Sequence, residues 1–585
     1  MVIIATFLWT AKMVCRQKRT KNMHKCIQCK KEFSFDEKDH EFFRSFDVPP
    51  PRRCHPCRRR TQLVWENELL FYSRKCDLTG KQILSMYPEE VPFPVYNNTD
   101  WQGDSWDRFS QGRAVDFSRP FFEQWDELTR STPHQARFIL EGNIVNSDYI
   151  NYCSSVKNCY LIFDGDNNDN CYYSYTIQNC KDVVDGLKVR ESELCYQCID
   201  CLKCYECLYC QNVQSSNECT FGYNLANCSN CFGCVNLKNT EYYWFNEKLS
   251  KEEYEKRRAS VDLSRRSVVR EWTEKFEEHK KKFPKQYMHG VSNQDCTGDY
   301  LINSKNALES YDGFRVEDSK YCEATFLPIK ECYETFEAGE NAERFYYSAV
   351  GGFDSYNIKW SWGVLDGCTD VEYCYYSSSI QNCFGCSNLK KAKYCILNKQ
   401  YTKDEYETLR AKLVEHMKET GEWGEYFPPE YSPFAYNTSN AGIFMPLAKE
   451  KALEKGFRWD DSADVKRGEP TDIPDSINDC DDSICDRVLA DKDTGQKYKL
   501  IKQELEFYRR LNIPIPDNCF MERHKARMAK RNPKQLWSRT CDCTNTSHTH
   551  HHESAASCKR SFQTTWDPAL GERVFCKECF LEEVV

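Results

Sequence analysis

Three features of the sequence predict a mainly β chain, built as two parallel β-helix-like solenoid blocks with capping helices and flanked by small ribbon modules. Between residues 153 and 234, fourteen cysteines fall only on every third position. The segment NCFGCVNLKNTEYYWFNEKLSKEEYEKRR (230–258) returns 152 residues later as NCFGCSNLKKAKYCILNKQYTKDEYETLR (382–410). Cysteines spaced CxxC stand near both ends, at 26–29 with 54–57 and at 576–579.

Composition sets limits. With 585 residues, 40% hydrophobic and 14% aromatic, the chain is long enough for two to four domains with real cores and is not disordered. Its 80 basic and 89 acidic residues leave a net charge of −9. That argues against wholesale nucleic-acid coating while permitting local basic patches. Thirty-six cysteines point either to a disulfide scaffold or to a reduced protein with metal sites and buried thiols. Disulfide-dense proteins are small domains short of core, and this chain can build one, so a cytoplasmic, reducing compartment is expected. The opening MVIIATFLWTAKMVCRQKRTKNMHKC puts its apolar run ahead of its basic residues, the reverse of a secretory signal, and is too short to span a bilayer. Residues 1–23 read as a dispensable leader, with Met23 an alternative initiator. No membrane insertion is expected.

The first module (24–140) carries Cys26-Ile-Gln-Cys29 and Cys54-His-Pro-Cys57. Two such knuckles across a hairpin-length linker are the pattern of a tetrahedral four-cysteine zinc ribbon, in which the metal replaces a core too small to fold alone. The module recurs at 486–585, shifted by 465 residues. FFRSFDVPPPRRC (42–54) lies over FYRRLNIPIPDNC (507–519), and Arg58, Asn67, Ser73, Arg74 and Cys76 lie over Arg523, Asn532, Ser538, Arg539 and Cys541. In the second copy Asp491, Thr494 and Glu522 replace Cys26, Cys29 and Cys57, leaving only Cys519, and no zinc is expected there. The following site shows the opposite loss: Asn97 and Asp100 in copy one stand against Cys576 and Cys579 in copy two. A second zinc is expected on Cys576 and Cys579 with two of Cys541, Cys543 and Cys558, Cys541 and Cys558 first. His548, His550, His551 and His552 stand nearby, as substitutes or as a solvated loop. With every ligand position filled by protein, both sites read as structural, since a catalytic zinc keeps a position for water.

In the first solenoid block (141–257) the triplet spacing matches neither strand nor helix, which would drift about 60° per triplet. Cys171, Cys195 and Cys219 also repeat every 24, as do Cys180, Cys204 and Cys228, while Val189, Val213 and Leu237 share that interval. Cysteine exchanges with valine, isoleucine and leucine, as core fillers do and ligands do not, so a stacked solenoid with coils of about 24 residues is expected. A helical linker (258–292) leads to the second block (293–425). Its inward positions are expected at Ile302, Leu308, Phe314, Phe326, Ile329, Cys332, Val350, Phe353, Trp362, Leu365, Cys368, Cys374, Ile380, Cys383 and Cys386. Capping helices are expected at about 250–283 and 402–418, opened by capping-box patterns at Ser250–Glu253 and Thr402–Glu405. A linker (426–485) precedes the second ribbon.

No P-loop, GxGxxG, GxSxG or HExxH is present, no small-molecule substrate is identified, and the chain reads as no enzyme. Asp164, Asp166, Asp169 and Asp185 read as solvated turns, or as the carboxylates of a carbohydrate-active β-helix. Arg58, Arg59 and Arg60 crowd one knuckle, and Arg523 and Arg527 follow the other. With Trp65 or Trp537 to stack, they form possible nucleic-acid contacts.

CxxC…PPPRRCHPCRRR, YSRKCDLTGKQILSMYP, DFSRPFFEQW (116–125), the NCFGCxNL pair and VFCKECF together resemble a family of zinc-ribbon proteins of large DNA viruses and of small-genomed environmental bacteria. Some members carry a CaiB/BaiF CoA-transferase label, but no α/β nucleotide-binding pattern accompanies the motifs here. The resemblance spans nearly the whole chain and departs at Asn97, Asp100, Asp491, Thr494 and Glu522. The expectation is a non-catalytic zinc-binding scaffold with protein partners, elongated, with a ribbon at each end, and a virion or assembly component. A nucleic-acid-associated zinc protein is the alternative.

Overall fold

The computed structural model describes residues 23–139, 143–325, 327–463, 467–545, 547–548 and 558–584. Residues 1–22 of the expected leader, Phe326 and His550 to His552 lie outside them, while Met23 opens the first strand. Strands dominate, and no described helix is long and apolar enough to cross a membrane.

The triplet period has a backbone cause. Every third residue of the first block adopts the left-handed conformation, as at Tyr152 (φ 55°), Ser155 (50°), Asn158 (53°) and Leu161 (49°). Two extended residues and one left-handed corner make one side of a square coil. Each non-glycine corner costs about 1–2 kcal/mol, which Asn and Asp tolerate best and which is offset by hydrogen bonding between coils. The corner N–H of Asn179 donates to Asp166 O (3.0 Å), that of Asp185 to Tyr172 O (3.1 Å).

Val183 pairs with Cys195, Val213 with Leu225 and Cys219 with Cys231, all in parallel. The coil is therefore twelve residues with four inward side chains, half the expected length. The 24-residue period arises because one inward column alternates cysteine with serine. Ser192 and Ser216 stand between Cys180, Cys204 and Cys228, and each serine Oγ accepts the N–H of the next cysteine (Cys204 and Cys228, both 3.0 Å). Inward thiols also donate to backbone carbonyls, Cys198 Sγ to Cys207 O at 3.2 Å and Cys153 Sγ to Asn151 O at 3.2 Å. A thiol thus fills the narrow interior and satisfies the polar backbone lining it.

The second block starts with twelve-residue coils (Gly298 opposite Ser310), widens to thirteen (Tyr333 opposite Tyr346, Ala349 opposite Trp362) and returns to twelve (Cys383 opposite Cys395). The extra residue sits in a four-residue corner, where left-handed residues step from Glu337 to Asn341 and where Phe353 and Asp354 are left-handed in succession. Two such corners stack so closely that a Cβ on Gly352 would lie 2.5 Å from Gly339 N. Each insertion shifts the inward set by one: Leu301, Ala307 and Val316, then Ile329 and Cys332, then Ala342 and Phe345, then Ile358 and Val364, then Cys368 onward. Ile329, Cys332, Cys368, Cys374, Ile380, Cys383 and Cys386 therefore point inward as expected. Ile302, Leu308, Phe314, Val350, Phe353, Trp362 and Leu365 do not, and Trp362 packs outside the coil on Tyr375, 5.1 Å between ring centroids.

Each solenoid closes with an antiparallel strand turn (Tyr243 opposite Lys248; Cys395 opposite Gln400) followed by helix. Thr402 and Glu405 form a reciprocal capping box on the helix Lys403–Thr420. Ser250 accepts only the Glu253 N–H, and the first cap breaks into helices Lys251–Ala259 and Arg266–Lys280.

The two solenoids lie side by side and antiparallel, joined along one row of left-handed corners from each. Rising numbers in the first meet falling numbers in the second. Lys188 pairs with Asp312 (3.6 Å), and Tyr300 Oη donates to Asn212 Oδ1 (3.3 Å). At the other end Phe138 stacks on Tyr152 and meets Tyr376. The ribbons are not at the tips of an elongated body. The N-terminal module packs on the second solenoid, with Lys320 on Asp39 (2.9 Å) and Tyr333 Oη donating to Asp39 (3.0 Å). The C-terminal module packs on the first, with Tyr173 Oη donating to Glu504 (2.6 Å), the residue that aligns with Asp39.

Candidate metal centres

The N-terminal centre is built from a hairpin and a helix. Cys26 and Cys29 lie in the turn between strands Met23–Lys25 and Glu32–Ser34. Cys54 caps the helix His55–Leu63, whose first turn holds Cys57. One sulfur from each of the four lies within 4.8 Å of the others. Cys26 Sγ accepts the N–H groups of Cys29 (3.5 Å) and Cys54 (3.4 Å). Burial raises the Cys26 thiol, but these N–H groups more than offset it and lower it overall. The Cys54 thiol is lowered to about 5, first by hydrogen bonding with Cys57 and against the cost of burial. A helix N-terminus favours thiolate in the same sense.

The C-terminal centre repeats the plan with Cys541, Cys558, Cys576 and Cys579 within the same 4.8 Å limit. Cys541 and Cys558 follow and precede the paired strands Trp537–Thr540 and Ser561–Thr564, and Cys579 sits on the helix Lys577–Val584. Cys576 N donates to Cys541 Sγ (3.2 Å). Cys543 stands beside this tetrad. Its sulfur meets His548 Nδ1 at 3.5 Å and groups with His548 and Cys579.

At the two degenerate sites polar groups take the ligands' places. Asp491 Oδ1 accepts the N–H of Thr494 (2.8 Å) and Oδ2 that of Cys519 (2.7 Å), the same two positions that donate to Cys26 Sγ. Asn97 N donates to Cys76 Sγ (3.4 Å), as Cys576 N does to Cys541. Among the described residues, no group of three or more potential ligands within 4.8 Å includes a solenoid thiol, and none of the described cysteines is in a disulfide.

The arginines expected to meet nucleic acid are engaged within the chain, Arg58, Arg523 and Arg527 by the corner carboxylates Glu334 and Asp185 of the solenoids. Arg58, 2% exposed, is held by Glu334 and by Arg53 O (2.6 Å). Arg59 pairs with Glu323 (2.5 Å), and Arg60 donates to Tyr436 Oη (3.0 Å). Arg523 and Arg527 both reach Asp185 (2.9 and 2.7 Å). Trp65 is enclosed against Trp125 and Phe427 and offers no face to a base. Asp185, expected on a solvated turn, is thus a buried anchor, while Asp166 accepts from Ser154 Oγ (2.6 Å) and Asp169 lies near Lys157 (3.8 Å).

One cluster has no counterpart in the sequence reading. Glu66, Glu68 and Glu337 bring carboxylate oxygens within 4.8 Å of one another at the seam between the solenoids. Glu66 and Glu68 are adjacent to a motif, but Glu337 lies far along the chain on a coil whose register slips. Glu66 and Glu68 are 1% and 0% exposed, which leaves no groove at them for a saccharide.

No family model matches the chain, and no curated protein matches it.

Proposed function

We propose that this protein is a non-catalytic, zinc-binding scaffold whose partners are other proteins. The observation that carries this reading is the pair of cysteine tetrads. Four thiolates suit zinc in softness and number and complete a tetrahedral shell without a position for water. Each tetrad ties a hairpin to a helix start, and the first lies directly beneath the helix that carries Arg58 to the solenoid. The metal's task is then to fix the modules that clasp the solenoids. Long stacked coils offer extended faces for partners, in keeping with an assembly or virion component.

Native mass spectrometry on protein purified under reduction and without chelators tests this. Two zinc ions per chain are expected, falling to one in Cys26→Ser or Cys576→Ser and to none in the double variant. A zinc-free chain would sink the proposal. Four or more ions would assign metal to the solenoid thiols and sink it equally.

A further inference from the structure

The seam between the solenoids carries two neighbouring charge clusters of opposite design. At one, Asp200 and Asp312 gather Arg531 (2.8 and 2.5 Å), and Asp312 also takes Lys188 and Lys534 (3.6 and 3.2 Å). At the other stand Glu66, Glu68 and Glu337. The 465-residue shift places Glu66 on Arg531, so the repeat supplies a cation to one cluster and a carboxylate to the other.

The side chains that hydrogen-bond Glu66 and Glu68 are neutral, and the charged groups that reach the three glutamates through space are Asp164, which adds to their repulsion, and Lys188, which offsets part of it. Asn440 Nδ2 donates to Glu66 Oε2 (3.1 Å) and to Glu68 Oε1, which leaves Glu66 Oε1 and Glu68 Oε2 without partners. The indole of Trp362 faces Glu66, and the hydroxyl of Tyr175 faces Glu68. A further observation points to a ligand. Tyr152, 7% exposed, keeps its hydroxyl without a hydrogen-bond partner, close enough to feel the charge of all three carboxylates. Three carboxylates within 4.8 Å of one another, two of them with an unpartnered buried oxygen and with an unpartnered buried hydroxyl in range, are costly unless a ligand satisfies them.

We propose that Glu66, Glu68, Glu337 and Tyr152 form a site for a hard divalent cation of the calcium, magnesium or manganese class, separate from the zinc centres. An all-oxygen donor set with several carboxylates selects such ions over zinc. Glu66 and Glu68 belong to the N-terminal module, Tyr152 to the first solenoid and Glu337 to the second, so one ion would join all three bodies. Burial raises all three carboxyls, Glu68 to about 8, and a cation relieves that cost.

Terbium is the probe of choice, because Tyr152, Tyr175 and Trp362 surround the site and would sensitise its emission. The full chain, with its zinc in place, is titrated with Tb3+ under tyrosine and tryptophan excitation. In parallel, calcium, magnesium and manganese are counted by elemental analysis, both as purified and after dialysis against each ion. One hard ion per chain is expected, with sensitised emission displaced by calcium or manganese. Glu337→Gln and Glu66→Gln should weaken binding at least tenfold, with the zinc count unchanged as the check on folding. Tyr152→Phe should weaken binding more mildly. No ion at millimolar concentration, or equal binding by wild type and a Glu66→Gln/Glu337→Gln double variant, would overturn the site while leaving the zinc centres untouched.

Discussion

At position 491 an aspartate does through hydrogen bonds what the sulfur of Cys26 does in the other module, gathering the N–H groups of residues 494 and 519 around one acceptor. Burial raises its pKa, but these N–H groups outweigh that and hold it at about 2. The stability it contributes is complete above the unfolded value near 4 and lost as pH falls through about 2. Asp491→Ala should therefore cost about 2 kcal/mol at neutral pH, and denaturant titrations should show a shallower acid limb below pH 4. His524 runs the other way: burial lowers it to about 3, and neither ring nitrogen has a partner. It is neutral when folded, so its contribution is full above about pH 6.5 and is lost as pH falls toward 3. His524→Leu should cost little at pH 8 and reduce the loss of stability between pH 6.5 and 4. The loss of thiols at 491, 494 and 522 was legible in the sequence. That the carboxylate of Asp491 takes over the sulfur's hydrogen bonds was not, because it depends on which backbone groups point at one spot.

For the coils, the triplet rule predicts which exchanges are harmless. Cys207 shares its inward column with Val183, so Cys207→Val should change stability by less than about 1 kcal/mol and leave the zinc count as it was. Ser216→Ala is harsher, because it removes both the acceptor for Cys228 N and the donor to Gln214 O (2.8 Å). It should cost about 1–3 kcal/mol in chemical denaturation. Triplets show in the sequence because most inward positions hold cysteine, valine, isoleucine or leucine, and the column from Cys159 to Cys231 holds only cysteine and valine. Coil length was obscured by the cysteine–serine alternation. The register slips were hidden because a four-residue corner demands no fixed residue, and the glycines at 339 and 352 mark it only once their closeness is seen.

Across the whole molecule, stability rests on ions buried between modules and solenoids. Arg58→Met strands Glu334 and should cost about 3–5 kcal/mol, whereas the double variant Arg58→Met/Glu334→Leu should recover much of that loss; urea melts of the set would measure both. The aligned modules were readable from their 465-residue shift. Their seating was not, since Arg58 and Glu334 are partners across 276 residues of unrelated sequence. This crossed seating separates the two ribbons in time. During synthesis the first module emerges roughly 15 to 60 seconds before the solenoid it grips, at 5–20 residues per second. The last module emerges when its solenoid has long been complete. The half of it that grips the second solenoid must hold its shape without that partner through the interval, and it keeps the four cysteines at 26, 29, 54 and 57. Its copy is born onto a finished surface, and there an aspartate suffices.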